Sequence, residues 1–322
     1  MPNTTRTQIP AEVNNFYDRT LLERVTPLFI FGKWAQIRDI PANAGTSTIK
    51  FRRYANLSAA TTPLSEGITP AGSQLSVTDV TATVAQYGDY ITATDVVDYE
   101  SEDPVLMETA QILGDQAADT LDQLVRDVLS AGTNVYYGGS AVSRVTVAAG
   151  DLITAALVKK VVRLLKNNLA RKVTMMVDPS TGYSTVPLQM CYVGIVHTNV
   201  AYTLKGLTGW TSIEKYASTK TLMEGEIGAL DEVRFVETTN AKVFTASGAA
   251  GIDVYATLVM GANAYGISRI SGQSLKNIVK PLGSGGSADP LNQRATSGWK
   301  STFVAKILNN AFLVRVETAI EA

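Results

Sequence analysis

One histidine, one cysteine and two pairs of neighbouring carboxylates are the residues of this chain best equipped for chemistry. His197 ends the apolar run YVGIV (Tyr192–Val196) and is followed by Thr198 and Asn199, so any acid or base work by an imidazole falls to it. The same surroundings also satisfy an ordinary strand-end histidine, and that is the reading adopted. Cys191 precedes His197 by six residues. A nucleophile and its base need hydrogen-bond reach, whereas that much straight strand separates them by roughly 20 Å. A buried, inert thiol is expected instead. Glu224 with Glu226, and Asp231 with Glu232, fall in turn-like stretches and read as exposed loop carboxylates with weak affinity for a cation.

Motifs that would add a reaction are missing. The chain has no Gly-x-Ser-x-Gly elbow, no phosphate-binding glycine loop, no His-Glu-x-x-His and no calcium loop. A single cysteine excludes an intrachain disulfide and a cysteine-based zinc site. We therefore expect no catalytic residue, no cofactor and no metal. No signal-peptide pattern or long apolar span is present, so neither secretion by that route nor membrane insertion is expected.

Charge is segregated, although the net charge is only -1. Residues 101–131 hold Glu102, Asp103, Glu108, Asp115, Asp119, Asp122 and Asp127 against Arg126 alone. Residues 151–172 hold Lys159, Lys160, Arg163, Lys166, Arg171 and Lys172 against Asp151 alone. Opposite patches on one chain suit docking of identical copies, or they are two solvated helix faces. Lys159, Arg163 and Lys166 share a helix face that could meet phosphates. No aromatics interleave with them, which argues against sequence-specific nucleic-acid recognition.

The elements that carry these residues follow from periodicity. Val13, Phe16, Tyr17, Leu21 and Leu22 predict a helix over Ala11–Val25 flanked by prolines, read as an arm. TIKFRRY (Thr48–Tyr54) and Gln74–Tyr99 have strand character, and the Pro- and Gly-rich Asn56–Ser73 between them predicts a long extended loop. Ser101, Glu102, Asp103 and Pro104 predict the start of a helix of about 45 Å running to Ala131, its acidic stripe facing away from the core. A second helix is expected over Asp151–Asn168 with Asp151 as its cap and Leu152, Ala155, Ala156, Val161, Val162 and Leu165 inside. Strands are expected at 172–177, 192–196, 233–237, 242–245, 252–260 and 303–316, a short helix at 200–205, and a flexible linker at Gly283–Asp289. Strands and helices mix without βαβ repeats, so the fold class is α+β. No repeat of solenoid or propeller period is visible.

Long runs of the sequence resemble the major capsid proteins of tailed bacteriophages, in a podovirus-like form. They are NNFYDRTLLERVTP (Asn14–Pro27), IKFRRY (Ile49–Tyr54), LSAATTPLSEGITPAGSQLSVTDV (Leu57–Val80), AQYGDYI (Ala85–Ile91), GEIGALDEVRFVET (Gly225–Thr238), MGANAYGI (Met260–Ile267) and DPLNQRATSGWKSTFVAKILNNAFLVRVE (Asp289–Glu317). The resemblance implies an HK97-type capsid fold. Its parts would be an N-terminal arm over 1–39, an E-loop hairpin over 40–83, a P-domain over 84–150 with a spine helix at 102–131, an A-domain over 151–280, and a final segment, 281–322, returning to the P-domain.

It also implies a virion protein, assembled in the host cytoplasm as pentamers and hexamers of an icosahedral shell around double-stranded DNA. Separate scaffold and portal proteins, and a decoration protein, are the further partners implied. Phe16, Tyr17 and Leu21 of the arm, Pro63, Glu66 and Pro70 of the loop, the acidic Asp115, Asp119 and Asp122, and the basic Lys159, Arg163 and Lys166 become candidate contacts between subunits. A lysine–asparagine cross-link, known in some shells of this fold, is not carried over, because no residue in the matched runs identifies the pair. Two alternatives remain: an encapsulin-like nanocompartment shell, and a cytoplasmic α+β enzyme with a pocket around His197 or the carboxylate pairs.

Overall fold

The computed structural model describes residues 29–64, 66–95, 105–177, 185–216, 222–285 and 289–321. The expected arm helix, with Phe16, Tyr17 and Leu21, and the Ser101–Pro104 helix start lie outside the described residues.

Two sheets meet along one helix. The smaller contains β1 (Gln36–Ile37), β4 (Ala85–Thr94), β13 (Tyr265–Ser268), β14 (Leu275–Lys280) and β15 (Arg294–Ile307). The 14-residue β15 is its axis, pairing with β4 along one edge and with β13 and β14 along the other. The larger, nine-stranded sheet runs β5 (Val135–Tyr137), β16 (Leu313–Thr318), β12 (Val254–Met260), β7 (Thr185–His197), β10 (Val233–Thr238), β9 (Glu226–Leu230) and β8 (Thr211–Ser212), with β6 (Val173–Val177) on β7 and β11 (Val243–Phe244) on β12.

The long helix is α1 (Val105–Ser130), whose 26 described residues span about 39 Å at about 1.5 Å each. Its apolar stripe serves both sheets in turn. Leu113, Ala117 and Ala118 pack on Trp299 of the small sheet, and Leu121, Val125 and Leu129 pack on Val193, Ile195, Leu258 and Met260 of the large one.

The large sheet is covered on both faces, and strand alternation sorts its side chains. Cys191, Val193 and Ile195 of β7 face α1, while Tyr192 and Val196 join Val161, Val162 and Leu165 of α2 (Ala155–Asn167) and Val200, Ala201 and Leu204 of α3 (Thr198–Lys205). Gly194 keeps the parity open where Phe235 crosses, since a Cβ there would sit 2.6 Å from the Phe235 ring.

Several sequence expectations change. Asp151 does not cap α2; Thr154 does, its hydroxyl accepting the Leu157 N–H, and Asp151 instead accepts the Ala148 N–H in the preceding turn. The inner face of α2 therefore shifts to Val158, Val161, Val162 and Leu165, leaving Ala156 exposed. The expected strand over 303–316 is two strands, β15 and β16, separated by a 3-10 turn at Asn310–Phe312. Residues 265–280 pair into the small sheet with β4, and β16 joins the large sheet. At the expected linker, Asp289 is buried and accepts the Arg294 N–H, so it opens β15 instead of ending a flexible stretch.

Candidate assembly surface

Among the described residues, β2 (Thr48–Tyr54) and β3 (Val77–Thr83) pair only with each other, in register from Thr48↔Thr83 to Tyr54↔Val77. The described residues of the intervening loop, 55–76 without Ser65, are exposed, Pro63, Glu66 and Pro70 among them. Two strands alone are marginal in water. This hairpin nonetheless holds Tyr54, Leu57, Leu64, Ile68, Leu75 and Val77 out into solvent, Leu64 at 77% exposure. Apolar side chains gathered on one projection mark an interaction surface. One ionic clasp stiffens the shaft: Arg52 Nε and Nη2 donate to the two Asp79 oxygens at 3.0 and 3.2 Å. The clasp holds the Asp79 carboxyl below the usual carboxylate range.

The acidic stripe of α1 is not a uniform outer face. Asp119 is exposed and accepts from Gln123 and Asn240. Asp115 is half-buried. Asp122 is a correction: it is 1% exposed and belongs to the interior. Its carboxylate accepts the Ile30 and Phe31 N–H groups at 3.0 and 2.7 Å and the Asn240 amide at 3.2 Å. Burial pushes its pKa up to about 6 against the lowering effect of those donors. The reason is local: residues 29–34 fold back over this turn of α1, seating Phe31 and Trp34 in the core.

On α2 the basic residues are exposed as expected. Lys159 and Arg163 have no partner among the described residues, whereas Lys166 reaches Glu232 of its own chain.

His197 caps α3, its Nδ1 accepting the Asn199 N–H, and burial lowers its pKa. Cys191 is buried and its thiol is pushed up to about 11 by desolvation, far from a thiolate at neutral pH. Glu226 is not the exposed loop carboxylate expected: it lies in β9, buried, receiving Arg234 Nε and Nη2 at 2.6 and 2.5 Å and the Tyr216 hydroxyl at 3.0 Å. Glu224 pairs with the buried Lys33 at 2.6 Å. A groove of about 640 Å³ opens on the small sheet beside Tyr90, Lys280, Trp299 and Lys300, and neither His197 nor Cys191 lines it.

Sequence reading missed the second buried ion group, Arg144–Glu317–Arg315. Glu317 accepts Arg144 Nε and Nη2 at 2.9 and 2.7 Å and Arg315 Nε at 2.7 Å. Arg315 Nη1 also donates to the Ser130 and Gly132 carbonyls, closing the C-terminal end of α1. The signal was present: Arg315 and Glu317 are opposite charges two residues apart in the otherwise uncharged LVRVET, so both point to one buried side.

The phage capsid protein family model matches residues 77–315. Among solved structures, the capsid of Ralstonia phage GP4 superposes with a TM-score of 0.72 at 13% identity, covering 89% of this chain and 87% of that one. The cyanophage Pam1 capsid gives 0.65 at 16% identity with 92% of each chain covered. The head of Helicobacter pylori bacteriophage KHP40 gives 0.63 at 13%, covering 90% and 88%. At such identities these matches carry the fold, which is of HK97 type, and all three are phage shells rather than nanocompartments or enzymes. No curated protein matches the chain.

Proposed function

Because this chain belongs to the phage capsid protein family, we propose that its copies join as pentamers and hexamers of an icosahedral head around double-stranded DNA. It is a structural major capsid protein, a component of the virion that self-associates into a shell. The exposed β2–β3 hairpin is the observation that carries the finer reading, because its apolar side chains have no partner surface within the described subunit. In this reading Pro63, Glu66 and Pro70 touch a neighbour, as do Phe16, Tyr17 and Leu21 of the arm, and Asp115 and Asp119 of α1.

Lys159 and Arg163, without a partner among the described residues, offer either a phosphate contact without sequence preference or a contact to a neighbouring acidic face. Assembly takes place in the host cytoplasm with a separate scaffold and a portal, and a decoration protein is a further partner. Deleting Thr62–Thr69 tests the reading. The expected outcome is a free subunit with a wild-type unfolding midpoint and no shells; normal shells from the deletion would overturn the role given to the hairpin.

A further inference from the structure

α1 covers one face of the small sheet. Trp299 of β15 packs against it, and strand alternation sends Gly298 and Lys300 to the opposite, open face. Register aligns three strands there, with Tyr90 of β4, Gly298 of β15 and Ile278 of β14 side by side. Gly298 leaves a gap between the two larger side chains, since a Cβ there would sit 2.7 Å from the Tyr90 Cβ. This row is the floor of the groove of about 640 Å³. Its apolar groups stand in solvent, Tyr90 at 68% exposure and Ile278 at 44%.

Lysines stand around that floor. Lys280 and Lys300 line the groove, and Lys276 lies directly opposite Lys300 in the register. Like charges at directly opposed positions work against the pairing of their strands. None of the three forms an ion pair among the described residues. Asp89, the one carboxylate in β4, has the other parity and accepts the Gln116 amide of α1. The open face is therefore apolar at its centre and cationic around it, and it suits an apolar segment that carries a carboxylate. The tip of the β2–β3 hairpin has that composition: Glu66 is the one charged residue of the loop 55–76, and Leu64 and Ile68 flank it at two-residue spacing, all three exposed. Tip and groove are both exposed in one subunit, so they do not cover each other within it.

We propose that the groove over β15, between β4 and β14, receives the hairpin tip of a second copy of this chain, with Leu64 and Ile68 on Tyr90, Gly298 and Ile278, and Glu66 paired with Lys280 and Lys300. The inference rests on the role given to the hairpin and names the surface that covers it.

Exchange of the charges provides the test. Glu66→Lys, and separately Lys280→Glu with Lys300→Glu, should each lower shell yield about tenfold while the free subunit keeps its wild-type unfolding midpoint. Combining all three should return most of the yield, which a local effect of either change would not do. Independently, Tyr90→Cys in the full chain should react with maleimide about tenfold more slowly in assembled shells than in free subunits, the buried Cys191 serving as the slow internal reference. Wild-type yield from either parent variant, no recovery in the combined one, or equal labelling in the two states would overturn the proposal. If these fail while deletion of Thr62–Thr69 still abolishes shells, the hairpin keeps its role and the groove loses its own. A wild-type protein that forms no shells at all would instead strike the shell reading itself.

Discussion

The nine-stranded sheet and the β2–β3 hairpin solve opposite problems with the same strand chemistry. In the sheet, β12 reads VYATLVM and every residue is buried, because α1 covers one face and α2 and α3 the other. In the hairpin, Val77 and Tyr54 are also residues suited to strands, yet both are exposed. Burial within the subunit decides folding stability, and burial left undone within the subunit is available to assembly. Substitutions in the two regions should therefore separate the two properties.

The largest effect belongs to the buried ion group under the large sheet. Glu317→Ala leaves Arg144 and Arg315 facing each other without their carboxylate, and should destabilise the free subunit by about 3–5 kcal/mol in denaturant unfolding. A loss below about 1 kcal/mol would show that water reaches the arginines and that this region is not the closed core described. Next, Leu129→Ala, fully buried where α1 meets the large sheet, should cost about 2–5 kcal/mol. Shells of that variant, if its subunits stay folded, should keep wild-type morphology.

A smaller and pH-dependent effect comes from Asp122. Its folded pKa of about 6 lies above the usual carboxylate range, so the folded state holds this proton more firmly than the unfolded chain does. Its contribution is most favourable below pH about 4 and is lost as pH rises through about 6, an effect on the order of 2–3 kcal/mol. Wild type should accordingly lose stability relative to Asp122→Asn between pH 4 and 7. A difference that stays flat over that range would contradict the buried placement. The smallest effect on folding should come from the hairpin. Leu64→Ser or Ile68→Ser should change subunit stability by less than about 0.5 kcal/mol while reducing shell yield. A matching loss of stability would mean that the loop packs on its own subunit.

Much of this division was legible in the sequence. The 3.6-residue stripe of α1, the alternation of β2 and the proline- and glycine-rich loop after it each depend on local pattern, and each appears in the structure near its expected bounds. What stayed hidden depends on distant partners. Asp122 looked like its exposed neighbours because nothing in the helix records that residues 29–34 fold over it. Glu226 looked like a loop carboxylate because Arg234, its partner, is identified only by the β9–β10 register. The pairing of residues 265–280 with β15 gave no sequence signal because it spans the turn after Lys280, which reads as a linker. Composition alone predicts the loop that holds Pro63, Glu66 and Pro70, and it is the resemblance that makes them proposed contacts.

Electron microscopy of the full-length protein, purified after expression, tests the central claim most directly. The account predicts closed, megadalton icosahedral particles built of five- and six-subunit clusters. A preparation holding only small, discrete oligomers, under conditions where the chain is folded and a scaffold protein is supplied, would contradict it.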